Sequence, residues 1–341
     1  MSVTAISRQF HLASRPGGAP ALENFKLVER ELDAPSEGQI IVRNLWLSVD
    51  PYMRGRMVDR SSYIPPFGID EPMDGAAVGI VEASKDEKFA VGDTVSHFAG
   101  WRDLALIEAR SATRIDSAAP PQSYLGPLGI PGLAAYAGLL SIGEPKAGET
   151  VFVSAAAGAV GAVVAQIARI KGCRVIGSTG SEDKARWLTD EAGIDAVINY
   201  RQVNDLSAAL AKAAPQGVDV YFDNVGGDHL EAAINAANDF ARFPLCGMIA
   251  QYNGEPSGPR NIYRAIEKRI KLQGFIVTDH LGLWSDFQRD VGQWISEGKV
   301  KWTETVVDGF ENAPQAFVDL FSGKNTGKML VRLADAEDSR A

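Results

Sequence analysis

The stretch Thr150-Val-Phe-Val-Ser-Ala-Ala-Ala-Gly-Ala-Val-Gly161 decides the fold that the sequence predicts. An apolar, β-branched run comes first, a glycine turn follows, and an Ala/Val-rich segment continues to Lys171. This order is typical of the strand–turn–helix unit of a dinucleotide-binding fold, here with Ala156 in place of the first of three glycines. Small residues are needed there because a pyrophosphate approaches the backbone at Gly158 and the helix packs closely on the strand at Gly161.

The chain after this stretch alternates between short apolar strands and amphipathic helices. The predicted strands are Val151–Ser154, Cys173–Ser178, Ala196–Asn199, Val218–Asp223, Phe243–Met248 and Leu272–Val277, and the predicted helices are Ala159–Lys171, Asp183–Ala192 and Asn204–Ala214. About six strands connected in this way indicate a doubly wound parallel sheet of the α/β class. Val151–Ala168 is almost wholly apolar, but a turn divides it, so we interpret it as buried strand and helix rather than a membrane span.

The segments on either side of this sheet are predicted to be β-rich. Before it, turn signals separate short apolar runs at Arg8–Ala13, Phe25–Glu31, Gln39–Ser48, Ala76–Glu82, Asp93–Phe98 and Asp103–Ile107. After it come a strand at Thr303–Asp308, a helix at Glu311–Phe321 that ends at Gly323, and a strand at Lys328–Leu333. We therefore predict a discontinuous, barrel-like β domain from residues 1–127 and 303–341, and a dinucleotide-binding domain from residues 128–302.

Composition argues against several classes of partner. The 341 residues carry 34 Lys and Arg against 43 Asp and Glu, a net charge of −9, so the surface does not attract nucleic acid or anionic lipid. The two cysteines, Cys173 and Cys246, lie apart in apolar segments, which indicates buried thiols in a reducing compartment. The N-terminal residues have no apolar signal-peptide core. We expect a cytoplasmic protein that binds neither nucleic acid nor membrane.

The end of the second predicted strand bears on which nicotinamide cofactor the sheet would take. NAD-binding sheets place a carboxylate there, about 20 residues after the glycine turn, to accept hydrogen bonds from the ribose hydroxyls. This chain has Ser178-Thr-Gly-Ser181 instead, and Glu182 and Asp183 are predicted to be first-turn acids of the next helix. Lys184 could reach a 2′-phosphate, which favours NADPH, although a lysine that faces solvent is an equal alternative.

Two further residues are expected at the same edge of the sheet. The fourth strand ends in Tyr221-Phe-Asp-Asn-Val-Gly-Gly227, and ligands bind at the carboxyl ends of open parallel sheets. Asn224 is therefore a candidate for hydrogen bonding the cofactor's ribose or carboxamide, with an ordinary turn residue as an equal alternative. Tyr252 follows the predicted fifth strand, Leu245-Cys-Gly-Met-Ile249, and should reach this edge as well.

The succession of β module, dinucleotide-binding module and returning C-terminal segment resembles that of the medium-chain dehydrogenases/reductases. Several motifs narrow the resemblance to their zinc-free double-bond reductases, the group of leukotriene B4 12-hydroxydehydrogenase/prostaglandin reductase, alkenal reductase and NADPH-dependent curcumin reductase. The matching stretches span nearly the whole chain: Val49-Asp-Pro-Tyr-Met-Arg-Gly-Arg-Met57, Glu71-Pro-Met-Asp-Gly75, Leu128-Gly-Ile-Pro-Gly-Leu133, the glycine turn, Asn199-Tyr200, Phe222-Asp-Asn-Val-Gly226, Gln251-Tyr-Asn253 and Asn325-Thr-Gly-Lys328. The resemblance implies a GroES-like β domain beside a Rossmann domain, NADPH as cofactor and a homodimer.

The resemblance also implies how the cofactor is held. Gly158, Ala159, Val160 and Gly161 would bind the pyrophosphate, and Lys184 with Tyr200 would bind the adenosine 2′-phosphate. The rest of the cofactor would be lined by Asn224, the segment from Cys246 to Tyr252, the segment from Phe275 to Val277, and Asn325. Gln251 and Asp70 differ from the residues that the group usually carries, and Asp70 would alter the rim of the substrate pocket.

A catalytic zinc is not expected. Such a site needs three protein ligands and an open position, and this chain has Met73-Asp-Gly75 where the alcohol dehydrogenase branch carries a Gly-His-Glu ligand motif. Two cysteines cannot build that branch's four-cysteine lobe. His97 and His280 are isolated and are better explained as packed or surface residues.

The simplest reaction for a metal-free site of this kind is conjugate reduction of an enone or enal. A hydride adds to the β-carbon, and a hydrogen-bond donor stabilises the negative charge that develops on the carbonyl oxygen. Tyr252 is the first candidate for the catalytic donor, and Tyr52 and Tyr63 in the β-domain loops are the alternatives. Each of them could instead be a tyrosine with an incidental partner. The apolar residues near Tyr63 suit a small hydrophobic substrate.

Two other functions remain open at this point. A quinone oxidoreductase of the same superfamily would share the fold and the glycine turn, although the Asp50-Pro-Tyr-Met-Arg-Gly55 stretch argues against it. A non-catalytic NADPH-binding protein is the second alternative, although nothing in the sequence marks a lost site.

Overall fold

Most of the predicted strands and helices begin and end close to where the hydrophobic pattern places them, but the strand predicted from Phe243 begins at Ala237, six residues before the predicted start. The computed structural model describes residues 3–115, 118–254 and 258–333. Its strands are β1 (Val3–Leu12), β2 (Phe25–Asp33), β3 (Gln39–Ser48), β4 (Ala77–Ser84), β5 (Thr94–His97), β6 (Leu104–Glu108), β7 (Thr113–Arg114), β8 (Thr150–Val153), β9 (Arg174–Thr179), β10 (Ala196–Asn199), β11 (Val218–Phe222), β12 (Ala237–Leu245), β13 (Lys271–Gly274), β14 (Glu304–Asp308) and β15 (Lys328–Arg332). Its α-helices are α1 (Met53–Arg56), α2 (Ile130–Ala137), α3 (Gly161–Ile170), α4 (Glu182–Asp190), α5 (Leu206–Ala213), α6 (Gly227–Ala236), α7 (Arg264–Glu267), α8 (Trp284–Ser296) and α9 (Ala313–Ser322).

The first of two structural units is β-rich and discontinuous in sequence. It holds the chain up to Leu125, the segment Glu304–Asn325, and the residues from Met329 onward. Its larger sheet has the order β14-β15-β3-β4-β5-β7, with β6 also paired to β3, while β1 and β2 form a separate antiparallel pair. Closure of the larger sheet into a barrel and the domain limits 1–127 and 303–341 stay predictions. Residues 334–341 of that predicted domain lie outside the described residues.

An aromatic cluster around Trp101 joins the returning segment to the N-terminal strands of this unit. The Trp101 side chain is fully buried and stacks on Phe25 with ring centroids 5.6 Å apart. Phe10 and Phe317 meet it edge-on at 6.1 and 6.0 Å. Since Phe317 lies on α9 while Phe10 and Phe25 belong to β1 and β2, burial of these rings holds the last helix against the first strands.

The second unit, Gly126–Thr303 with Thr326–Lys328, is built on a six-stranded sheet. The strand order is β10-β9-β8-β11-β12-β13, and the pairings along it are parallel. Helix α3 is buried from Gly161 to Ala168, as its Ala/Val composition predicts. This is the order of a doubly wound dinucleotide-binding sheet, with β8 at the point where the winding reverses. The predicted fold class, such a sheet beside a separate β-rich unit, is confirmed.

The sequence was misread at the fifth strand of this sheet. The prediction carried that strand to Met248 or Ile249, but β12 ends at Leu245. The reason is a turn over the end of β11, where the N–H groups of Cys246 and Gly247 both donate to the Asp223 carbonyl oxygen, at 2.9 and 3.0 Å. The segment after Leu245 therefore leaves the sheet and crosses its carboxyl edge.

Five helices lack a sequence prediction: α1, α2, α6, α7 and α8. Helix α2 contains Pro131 and Gly132, which usually indicate a turn; Pro is tolerated here because it stands in the first turn, where an N–H would have no helical partner. Within the described ranges, no helix combines the length and the apolar character that crossing a membrane would require.

Candidate active site

The turn between β8 and α3 is shaped for a close approach of backbone to a ligand. Ala155 adopts a left-handed conformation with φ of 47°, and the Gly158 N–H donates back to its carbonyl oxygen at 2.9 Å. Within the described residues, no side chain caps the N-terminus of α3. The first N–H groups of the helix, at Val160 and Gly161, are therefore left for a ligand, and such a helix end favours an anion.

The alanine at the first glycine position is accommodated by a glycine on the neighbouring strand. Ala156 is fully buried, and its N–H donates to the Ser178 carbonyl oxygen at 2.9 Å. A Cβ atom on Gly177 of β9 would stand 2.8 Å from the Ala156 methyl group, which is too close. Gly177 thus provides the space that the missing glycine would have supplied, and the turn keeps its shape.

The two carboxylates that follow the carboxyl end of β9 are engaged by other side chains of this protein. Ser181 caps α4 by accepting the Lys184 N–H at 3.4 Å, and Glu182 and Asp183 lie in the first turn of that helix, as predicted. Both acids are engaged there: Glu182 accepts from the Asn199 side chain at 3.0 Å, and Asp183 pairs with Arg186.

Tyr200 and Arg201 lie directly over Gly180 at this strand end. A Cβ atom on Gly180 would stand 2.7 Å from the Tyr200 hydroxyl and 3.3 Å from Nε of Arg201. Burial lowers the pKa of the Lys184 ammonium group, and the positive charge of Arg201 lowers it further. A phenol and a guanidinium therefore lie beside Gly180, and Lys184 repels that guanidinium, an arrangement that an anion would stabilise.

Arg201 is a candidate binding residue that the sequence analysis missed. It follows β10, which pairs in parallel with β9, so its position near the end of β9 depends on the strand order. The signal was present in the sequence as a basic residue directly after Asn199-Tyr200. It became meaningful only once these two strands were known to be neighbours.

At the end of β11, Asn224 joins two strands rather than standing as an ordinary turn residue. Its Nδ2 donates to the Ser154 carbonyl oxygen at 2.8 Å, and its N–H donates to Ser154 Oγ at 2.9 Å. Asp223, not predicted as a site residue, accepts from the Tyr221 hydroxyl at 2.7 Å and from the backbone N–H groups of Val225 and Gly226 at 2.9 and 2.8 Å. Burial raises the pKa of Asp223.

A cavity of about 470 Å³ opens beside the segment that follows β12. It is lined by Leu245, Cys246, Gly247, Met248, Gly274, Phe275, Ile276 and Asp279. Val277, the other predicted residue of this region, begins the short 3₁₀ helix Val277–Leu283. Burial, with the Asp223 carboxylate, raises the pKa of the Cys246 thiol to about 12, so the thiol is protonated and unreactive at neutral pH.

Tyr252 is placed beside this cavity. A Cβ atom on Gly247, one of the lining residues, would stand 3.3 Å from the Tyr252 hydroxyl oxygen. The residue ends the 3₁₀ turn Ile249–Gln251 and is half-buried. The phenol of Tyr252 and the cavity therefore lie at the same carboxyl edge of the sheet. The segment that carries Tyr252 leaves the sheet after Leu245, earlier than the predicted strand end.

The other two candidate tyrosines and Asn325 belong to the first unit. The Tyr52 hydroxyl is buried and has no hydrogen-bond partner within the described residues. Burial, and secondarily the negative charge of Asp50, raise the pKa of Tyr52, whereas the positive charge of Arg56 lowers it by less. Tyr63 is 59% exposed.

The loop that carries Tyr63 is held by Arg56. Its Nε donates to the Pro65 carbonyl oxygen at 2.9 Å, and its guanidinium lies 3.9 Å from the centre of the Phe67 ring. Arg56 also pairs with Asp74. A buried arginine therefore fixes the part of the loop that follows Tyr63 in the chain.

Comparison with known proteins gives matches over nearly the whole chain. The family model described as N-terminal domain of oxidoreductase matches residues 8–115, and the one described as zinc-binding dehydrogenase matches residues 159–297. NADPH-dependent curcumin reductase of Escherichia coli is 44% identical over 96% of this chain and 97% of its own. NADP(+)-dependent 2-alkenal reductase of Nicotiana tabacum is 43% identical over 98% of this chain and 99% of its own.

The chain belongs to the zinc-independent double-bond reductases of the medium-chain dehydrogenase/reductase family. The resemblance that the sequence motifs indicated is thereby confirmed. The crystal structure of CurA from Vibrio vulnificus in complex with NADPH matches this reductase with a TM-score of 0.91 and 45% identity, over 96% of this chain and 99% of CurA. An Escherichia coli quinone oxidoreductase solved with NADPH has a TM-score of 0.77 at 22% identity, which shows a shared fold alone.

One of the two family descriptions names zinc, but the residues of this reductase do not fit a zinc site. Met73 is fully buried in an apolar cluster. His97 donates from Nε2 to Asn44 Oδ1 at 2.8 Å and accepts the Ala99 N–H at Nδ1, and burial lowers its pKa to about 3. His280 packs edge-on against Phe275, 5.9 Å away. Across residues 3–115, 118–254 and 258–333, no three His, Cys, Asp or Glu side chains are grouped to hold a metal ion.

The packing at Gly161 makes a direct prediction. A Cβ atom there would overlap the Ala155 carbonyl oxygen and stand 2.9 Å from the Ala156 Cα, and backbone cannot yield as a side-chain tip can. We expect Gly161→Ala to lower the free energy of unfolding in urea by about 1–3 kcal/mol and to weaken dinucleotide binding, measured by fluorescence titration. Gly292→Ala in α8, where a Cβ meets no atom within 4 Å, is the control and should raise stability by about 0.5–1 kcal/mol. Unchanged stability and binding in Gly161→Ala would contradict the proposed turn geometry.

Proposed function

We propose that this protein is an NADPH-dependent oxidoreductase that reduces the carbon–carbon double bond of α,β-unsaturated ketones and aldehydes without a metal. The observation that carries the proposal is the full-length likeness, at 43–44% identity, to relatives named for the reduction of curcumin and of 2-alkenals. Both names describe substrates in which the double bond is conjugated to a carbonyl group. We further propose that it acts as a homodimer in the cytoplasm on a small hydrophobic substrate.

The cofactor is held by the carboxyl edge of the parallel sheet. The turn from Gly158 to Gly161 takes the pyrophosphate, because the start of α3 presents N–H groups that no side chain caps. Lys184, Tyr200 and Arg201 take the adenosine 2′-phosphate beside Gly180. The nicotinamide half is lined by Asn224, Cys246, Phe275, Val277 and Asn325. The cations over Gly180 support NADPH rather than NADH, since NADH has no phosphate there.

The chain's own contribution to the chemistry is a hydrogen-bond donor and an apolar cavity. Bound NADPH supplies the hydride that adds to the β-carbon of the substrate. Tyr252 donates a hydrogen bond from its phenol to the substrate carbonyl oxygen, where negative charge develops. Uptake of a proton at the α-carbon then completes the reduction. The Tyr252 hydroxyl lies close to Gly247 at the cavity wall, which supports its role as the donor. Tyr52, whose buried phenol stays protonated at neutral pH, and Tyr63 are the alternative donors.

The proposed function is tested by following NADPH oxidation at 340 nm with a 2-alkenal, a phenyl-substituted enone, a quinone and a saturated ketone. We expect turnover of the alkenal and the enone, no turnover of the ketone, and no loss of activity with a chelator. Preference for the quinone would move the assignment to the quinone oxidoreductases. Tight NADPH binding without turnover of any of these compounds would favour a non-catalytic role.

The cation pair beside Gly180 predicts how the cofactor preference responds to mutation. Lys184→Ala should raise the KM for NADPH by roughly 10- to 100-fold, because a charge-assisted hydrogen bond to phosphate is lost. The KM for NADH should change by less than about twofold, since NADH makes no such bond. Lys212→Ala, an exposed lysine on α5, is the matched control. An equal effect on both cofactors would show that Lys184 does not contact the 2′-phosphate.

The role of Tyr252 is tested by removing its hydroxyl alone. Tyr252→Phe should lower kcat by about tenfold or more while the affinity for NADPH stays within a factor of about two, because the lost hydrogen bond acts on the reacting carbonyl. Tyr263→Phe, at a residue that is 60% exposed, controls for loss of a phenol elsewhere. Unchanged turnover in Tyr252→Phe would transfer the role to Tyr52 or Tyr63, whose Phe variants are then measured in the same assay.

A further inference from the structure

His229 is a buried titratable side chain that the proposed reaction does not use. It lies in the first turn of α6, two residues after Gly227, and both Gly226 and Gly227 adopt positive φ, 72° and 52°. The side chain is 5% exposed. Its Nε2 is inaccessible to solvent and has no hydrogen-bond partner within the described residues. A structural role for His229 therefore does not depend on a hydrogen bond at Nε2.

What the His229 ring does contact is Tyr200. The two ring centroids are 5.1 Å apart and the planes meet at 80°, an edge-to-face arrangement. The same tyrosine is held at its other end by backbone, since its N–H donates to the Thr179 carbonyl oxygen at 3.0 Å. With the backbone fixed, packing against His229 restrains the rotation of the ring. The Tyr200 hydroxyl consequently stays over Gly180.

The charge state of His229 suits a supporting ring beside a cationic site. Burial lowers its pKa to about 4, against the opposing effect of the neighbouring Asp228. The imidazole is therefore neutral at pH 7 and adds no third positive charge to the pair formed by Lys184 and Arg201. An aromatic side chain of similar shape without nitrogen atoms would fill the same position without leaving a buried nitrogen unpaired.

We propose that His229 is a positioning residue that holds the Tyr200 ring in place and thereby sets the preference for a cofactor with an adenosine 2′-phosphate. This inference rests on the proposed use of NADPH. It extends that proposal to His229, which contacts a phosphate-binding residue, Tyr200, and not the phosphate itself. His229 acts through Tyr200, so its effect falls on the binding of the phosphorylated cofactor and leaves the chemical step alone.

The test compares two substitutions of His229 with a neighbour on the same helix. His229→Ala removes the ring and should raise the KM for NADPH by roughly three- to tenfold, the size expected for one aromatic pair, with kcat and the KM for NADH within about twofold of the unsubstituted protein. His229→Phe restores a ring and should return the KM for NADPH to within about twofold of the original. Leu230→Ala, a buried core residue of α6, lowers thermal stability by a general loss of packing and should leave the ratio of the two KM values unchanged.

A double-mutant cycle shows whether His229 acts through Tyr200. In a Tyr200→Phe background, the hydroxyl is already absent, so adding His229→Ala should change the KM for NADPH by less than about twofold. Full additivity of the two substitutions would overturn the proposal. So would a His229→Phe variant as impaired as His229→Ala, or an equal effect of His229→Ala on NADPH and NADH.

A binding measurement separates this inference from the function on which it rests. Calorimetric titration of the intact protein with adenosine 2′,5′-bisphosphate and with 5′-AMP needs no turnover. We expect the unsubstituted protein to bind the bisphosphate more tightly, and His229→Ala to lose most of that difference. If the unsubstituted protein does not distinguish the two nucleotides, the proposed use of NADPH fails. If it does and His229→Ala distinguishes them equally well, only the role of His229 fails.

Discussion

The close contact of backbone with backbone where β8 meets α3 is the constraint on which the rest of the sheet depends. Gly161 lies against the carbonyl group of Ala155 and the Cα of Ala156, at a distance that no side chain allows. Ala155 is held in a left-handed conformation that costs an alanine about 1–2 kcal/mol. This cost is offset by the burial of α3 along almost its whole length. The result is an uncapped helix end at the centre of the carboxyl edge.

The two sides of β8 have opposite electrostatic character. On the β9 side, burial lowers the pKa of Lys184 and the positive charge of Arg201 lowers it further, so that side is suited to an anion. On the β11 side, a buried carboxylate, Asp223, accepts hydrogen bonds from backbone N–H groups and a tyrosine hydroxyl, and it adds to the effect of burial in raising the pKa of the Cys246 thiol. The positive charges on the β9 side are therefore suited to binding an anionic ligand, whereas the negative charge of Asp223 on the β11 side holds the local backbone in place.

The cavity proposed to hold the nicotinamide and the substrate has mostly apolar walls and few polar groups. The cavity beside Gly247 is walled largely by apolar side chains and glycine backbone, and the Tyr252 hydroxyl lies near its wall. The Cys246 thiol in the same wall has its pKa raised to about 12. A thiol so rarely ionised is a poor nucleophile.

Local sequence determined the parts of this protein that depend on near neighbours along the chain. Apolar, β-branched runs bounded by turn signals predicted most of the strands. The 150–161 stretch predicted strand, turn and helix, because backbone sterics and helix packing leave few residues possible there. The motif Asp50-Pro-Tyr-Met-Arg-Gly55 indicated the family, which the full-length relatives confirmed. The lysine at 184 was predicted as a cation at the second strand end because both the strand and the helix cap lie within a few residues of it.

Tertiary structure decided what depends on which strands are neighbours. Arg201 comes over Gly180 only because β10 pairs with β9, and no local pattern states that pairing. Gly177 compensates for Ala156 across two strands, and His229 supports Tyr200 from a helix 29 positions further along the chain. The end of β12 was misread for the same reason: an apolar run continues past Leu245, but the Asp223 carbonyl oxygen captures the next two N–H groups. The energy of a contact between segments distant in sequence depends on how close the fold brings them. Such contacts therefore cannot be predicted from a local sequence pattern.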